Sequence, residues 1–149
     1  MKNRKKLIII LGILLTIFII FHFLYTDCWT IMRINWKISM PYMSLYREIY
    51  HKDSGPSFFG DGTRYHVYSY KNEKHIEKMV EWQTEEKETE IRSSYSEFIR
   101  EELDRIEVPE NERPEYSKCK YWYKKDLDDE IVICWDEYEN KLYVIELFI

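Results

Sequence analysis

Apolar and polar positions divide this chain into three kinds of pattern, and the first is unbroken. Leu7–Tyr25 reads LIIILGILLTIFIIFHFLY, nineteen residues without a charge, behind Lys2, Arg4, Lys5 and Lys6. About 20 apolar residues cross a hydrocarbon core of roughly 30 Å, so the run predicts a membrane-spanning helix. The basic head predicts its direction, with the N-terminus cytoplasmic and the remainder extracytoplasmic. The exit, Thr26-Asp27-Cys28-Trp29, is bulky and charged, and the chain contains no alanine. A cleaved signal peptide needs small residues there, so an uncleaved anchor is expected. Cleavage and lipid modification of Cys28 stay as alternatives. His22 reads as an interfacial side chain reaching for headgroups.

The second pattern has period two. Trp29–Met40 sets Ile31, Arg33, Asn35 and Lys37 against Met32, Ile34, Trp36 and Ile38, which predicts a strand stopped by Pro41. Met43–Tyr50 reads as a short strand or a helical turn. Arg64–Tyr70 alternates Tyr65 and Val67 against His66, Tyr68 and Tyr70, a clear strand. Lys118–Lys124, Ile131–Asp136 and Lys141–Phe148 form a three-stranded meander, turning at Asp126–Asp129 and Glu139-Asn140. Ile131, Ile133 and Trp135 should share one face, with Val132 and Cys134 on the other. Ile131–Asp136 is apolar on both faces and should lie between the other two strands.

The third pattern has period 3.6. Asn72 can cap a helix carrying Ile76, Met79 and Val80, with Trp82 near its end. Gln83–Glu90 is a polar loop or a solvated helical extension. Ser94 and Glu97 have capping-box spacing, and Tyr95, Phe98, Ile99, Leu103 and Ile106 continue as an apolar stripe. Pro109 and Pro114 bracket the acidic linker that ends it. The expected architecture is α+β: a transmembrane helix in 1–26, then one domain in 27–149. In that domain two helices cover one face of an antiparallel sheet.

Charge narrows the partners. The chain has 22 basic and 27 acidic residues; without the basic head, 18 face 27, a net charge of −9. That excludes nucleic acid, which demands cationic neutralisation, and a polybasic grip on lipid. The expected partners are the membrane, through the single span, and a protein with a basic surface.

Candidate chemistry centres on Ser54–Thr63, SGPSFFGDGT, where three of the four glycines fall within positions 55–62. Gly60, Asp61 and Gly62 read as a structural turn. His51, Asp53, Asp61 and His66 flank it, and two imidazoles with two carboxylates could ligate a metal. Their spacing fits no established metal motif, and Asp61 also suits a turn. No nucleophile motif, P-loop, GxGxxG or CxxC is present, so no cofactor is expected. Cys119 and Cys134 straddle the Asp126–Asp129 turn, where a disulfide or two buried thiols would fit.

Phe58-Phe59-Gly60-Asp61-Gly62, Lys120-Tyr121-Trp122-Tyr123 and Trp135–Tyr143 carry a resemblance. The chain is similar to a family of small uncharacterised membrane-anchored proteins of clostridial-type Gram-positive bacteria. These share a GDG loop running into a strand and a C-terminal aromatic hairpin. Members often have His-Gly ahead of the GDG, where this chain has Phe58-Phe59. The resemblance covers roughly residues 40–148 and implies an architecture without an activity to transfer. Two functions stay open: a binding module of envelope or immunity-like type, or a metal-dependent hydrolase using the residues around Gly60-Asp61-Gly62.

Overall fold

A computed structural model describes the backbone of residues 2–26, 28–38, 46–55, 61–83 and 88–149. Side chains are described for all of these except 2–5, 7–8, 22–26, 28–31 and 88–94. The chain divides into two units, Met1–Met40 and Pro41–Ile149.

The first unit is helical, with α1 (Lys2–Thr26) and α2 (Cys28–Trp36). Among the described residues no helix is long and apolar enough to cross a membrane. This corrects the expected transmembrane helix. The single-pass topology, the membrane partner and the extracytoplasmic localisation fall with it. A second correction concerns Trp29–Met40, expected as a strand. Met32 and Trp36 are buried while Ile34 between them is 59% exposed. Burial four residues apart is helical spacing, and α2 takes it. Pro41 and Met43 lie outside the described residues, as do Phe58, Phe59 and Gly60 of the turn and Glu85–Lys87. The same holds for the side chains of His22, Cys28 and Ser94.

The second unit is α+β, built on a five-stranded antiparallel sheet. Its strands are β1 (Tyr46–Asp53), β2 (Gly62–Tyr70), β3 (Cys119–Asp126), β4 (Asp129–Asp136) and β5 (Lys141–Phe148). The spatial order is β1-β2-β5-β4-β3, so β5 is central and β1 and β3 are edges. β4 lies between β3 and β5, as its two apolar faces require. Asp126 pairs with Asp129 across a two-residue turn, where Leu127 holds a φ of 58°.

Alternation sorts the strands into two buried faces. Tyr65, Val67, Tyr121, Val132, Cys134, Tyr143 and Ile145 point one way and pack with Ile99 and Leu103 of α4 (Glu88–Arg105) and with Ile106 just after it. Ile131, Ile133, Trp135, Leu142 and Val144 are buried on the opposite face. There Trp82 packs on Trp135 with ring centres 5.3 Å apart, and donates its indole N–H to Ile76 O at 3.0 Å. Ile76 belongs to α3 (Glu73–Glu77), capped by Asn72, whose side chain accepts from Lys74 N at 3.1 Å. The two helices therefore approach opposite faces of the sheet, not one face as expected. Trp135 decides this, because it points away from the Val132–Cys134 side.

α4 also begins six residues before Ser94, so the Ser94–Glu97 spacing falls inside the helix and marks no start. A polar cluster ties its C-terminal half to β2. The Thr63 hydroxyl donates to Glu102, and Arg105 donates to both. Thr63 is fully buried, so this pairing satisfies a hydroxyl that water cannot reach.

Candidate functional site

The β1–β2 hairpin brings two of the four candidate metal residues together. His51 pairs directly with His66, and the same register sets Asp53 opposite Arg64. The two imidazoles stack, with centres 6.3 Å apart and planes 21° apart. Asp53 turns to the loop, where its Oδ1 accepts from Gly55 N at 2.8 Å. Asp61 is exposed at the entry to β2. Gly62, next to it, has a φ of 141°, a conformation suited to glycine.

A third group joins the imidazoles that the sequence did not single out. The β1 register shifts between Glu48 and Tyr50, so Glu48 faces Tyr68 while Tyr50 faces Val67. Residues 48 and 51 would occupy opposite faces of a regular strand; the bulge at Ile49 puts both on one. There Glu48 Oε1 lies 2.5 Å from His66 Nδ1. The hydrogen bond from His66 holds the Glu48 carboxyl below its ordinary range, against the opposing effect of burial. Tyr68 stacks on His66 at 5.9 Å, and Tyr46 meets Tyr68 edge-on at 5.6 Å. Among the described residues no three His, Cys, Asp or Glu side chains converge as ligands for one ion.

A recess forms on the α4 side of the sheet, where the chain after Pro109 is pinned to the strands. Tyr65 donates its hydroxyl to Glu112 O at 2.6 Å and Tyr121 to Tyr116 O at 2.8 Å. Arg113 folds back on the helix end. Its Nε and Nη2 donate to Val108 O at 2.8 and 2.6 Å, and its Nη1 to Asp104 Oδ1 at 2.6 Å. Burial lowers the Arg113 pKa, but Asp104 and Glu110 outweigh it and leave it raised. The resulting cavity of about 540 Å³ is lined by Arg100, Asp104, Glu110, Arg113, Tyr116 and Ser117, with Pro114 and Glu115. Arg100 sits 4.9 Å above the Tyr116 ring. Burial, with Cys134 nearby, pushes the Tyr116 hydroxyl up to about 12, the two arginines partly offsetting it. The sequence showed an acidic linker here; the recess depends on Arg113 folding back, which periodicity does not encode.

No family model, curated protein or solved structure matches the chain. Both sites therefore stand on their geometry.

The cysteines lie on one face without a disulfide. Cys119 pairs with Asp136 and Cys134 with Tyr121, which makes the two thiols diagonal neighbours. Diagonal positions are about 7–8 Å apart, at or past the reach of a disulfide. Burial raises the Cys134 thiol well above its ordinary value.

Proposed function

We propose that Pro41–Ile149 is a binding module for a protein partner with a basic surface, and that it works without catalysis. The observation that carries this is the exposed carboxylate row of α4 beside the recess. Glu97, Glu101 and Asp104 are exposed and recur at helical spacing, and Glu110 continues the row past the helix end. Of the chain's 22 basic and 27 acidic residues, six and one fall before Pro41, leaving 16 and 26 in this unit. Such a surface steers a basic partner and repels acidic ones. An immunity-like role, in which the module covers a basic protein and blocks it, is the most specific form of this reading.

The test is crosslinking of the full-length chain in its own cells, followed by identification of the captured protein. Reconstituted binding should weaken steeply as salt rises, and Glu97→Lys with Glu101→Lys should reduce affinity at least tenfold. Capture of an acidic protein, or binding indifferent to both changes, would overturn the proposal.

A further inference from the structure

A second binding site follows from the β1–β2 hairpin and is independent of the acidic face. We propose that His51 and His66 together bind a divalent transition ion of the zinc, nickel and copper class, with Glu48 orienting His66. Imidazole nitrogens suit these ions, and the hairpin supplies two on directly opposed positions. Directly opposed Cβ atoms in an antiparallel pair are about 4.5–5.5 Å apart, close enough for both rings to reach one ion.

The ring geometry fits with a small movement. A ring centre lies about 3 Å from an ion bound at its nitrogen, so two rings on one ion have centres about 5–6 Å apart. The observed 6.3 Å is slightly wider, and the near-parallel rings must open toward each other. His51 can make that change, being exposed on an edge strand. His66 stays fixed, because Glu48 holds one edge of its ring and Tyr68 one face.

Glu48 also sets the chemistry of His66. A neutral imidazole donating from Nδ1 to a carboxylate carries its lone pair on Nε2, the form that ligates metal. Carboxylate–histidine–metal relays of this kind raise ligand basicity and fix ring orientation. Glu48 is thus a positioning residue, and the bulge at Ile49 is what brings it to the imidazoles. With two ligands among the described residues, the remaining coordination positions are left to water, and the site is an open one. An open site of this type is suited to exchange of its outer ligands.

Calorimetric titration of the full-length chain, free of any added histidine tag, with zinc and nickel chloride tests the proposal. One ion should bind per chain. His51→Gln should abolish binding without altering the thermal melt, since this side chain is exposed. Glu48→Gln should weaken it about 10–100-fold, and NMR of the imidazole nitrogens should then show a changed His66 tautomer. In the wild type the same spectra should report His66 Nε2 as the metallated atom. Absence of binding, or binding that survives His51→Gln, would overturn the proposal; the second result would place the ion on other ligands.

Discussion

Val108 donates its backbone N–H to Leu103 O at 2.9 Å, closing the last turn of α4 over the core. Glu107 between them holds a φ of 56° and donates its own N–H to Asp104 O at 3.0 Å. This pair of bonds, with Leu103 and Val108 both buried, is a Schellman termination. The residue in the left-handed conformation is a glutamate, where the steric cost is about 1–2 kcal/mol and glycine has none. Glu107→Gly should therefore stabilise the fold by about 0.5–1 kcal/mol, after the larger backbone entropy of glycine is subtracted. Denaturant unfolding measures it, and a loss of stability would show that the Glu107 side chain matters more than its backbone.

Leu103 is fully buried in the cluster shared by α4 and the sheet, beside Ile99, Val132 and Ile145. Leu103→Ala removes core volume that rigid strands on one side cannot fill. A cost of about 2–5 kcal/mol is expected, read from the shift in denaturation midpoint at constant slope. A value below about 1 kcal/mol would mean that α4 relaxes onto the sheet.

Gly62 carries two constraints at once. Its φ of 141° is closed to β-branched residues, and a Cβ there would run into the Ser54 hydroxyl, which accepts from Thr63 N at 3.1 Å. Gly62→Val should cost about 2–4 kcal/mol, combining backbone strain with the loss of that bond. His51→Gln, an exchange at an exposed position, should stay within about 0.5 kcal/mol. Parallel thermal melts of the two variants compare them; equal losses would place the constraint elsewhere in the hairpin.

The parts of the fold that were legible are those where one rule operates alone. β4 alternates Ile131, Ile133 and Trp135 against Val132 and Cys134 and is apolar throughout, so its faces and its flanking strands followed directly. Asn72 was legible as a cap because its side chain acts two residues away. Where two rules competed, the reading went astray. Trp29–Met40 offers both period two and a Met32–Trp36 spacing, and the helix took it. The Ser94–Glu97 signature is real in spacing, yet the polar stretch upstream joins the helix from Glu88. The candidate sites divide the same way. The sequence showed His51 and His66 only as flanking a glycine-rich loop; their direct pairing across β1 and β2 depends on the strand register. Glu48 was invisible because a bulge reverses its parity, and the recess because Arg113 reaches Asp104 only after the chain reverses.

The last prediction concerns alkaline pH and the tyrosines that the fold keeps protonated. Burial pushes Tyr116 and Tyr123 up to about 12; Cys134 adds to this at Tyr116, and the bond from the Tyr123 hydroxyl to Glu130 Oε2 at 3.1 Å adds at Tyr123. Tyr65, Tyr70 and Tyr143 are raised further, chiefly by burial. Each raised value means that the folded state keeps its proton where the unfolded chain, titrating near 10, has lost it. Their contribution to stability is then complete below pH 10. It is lost as pH rises from 10 through about 12 for Tyr116 and Tyr123, and at still higher pH for the other three. The melting temperature should fall over that window, and tyrosinate absorbance should grow together with the loss of the folded circular-dichroism signal. Tyr123→Phe removes one of these protons and should make the fall shallower between pH 10 and 12, while leaving the curve below pH 9 parallel to the wild type. An unchanged slope would mean that Tyr123 ionises alike in both states, and that its hydroxyl is solvated despite the contact with Glu130.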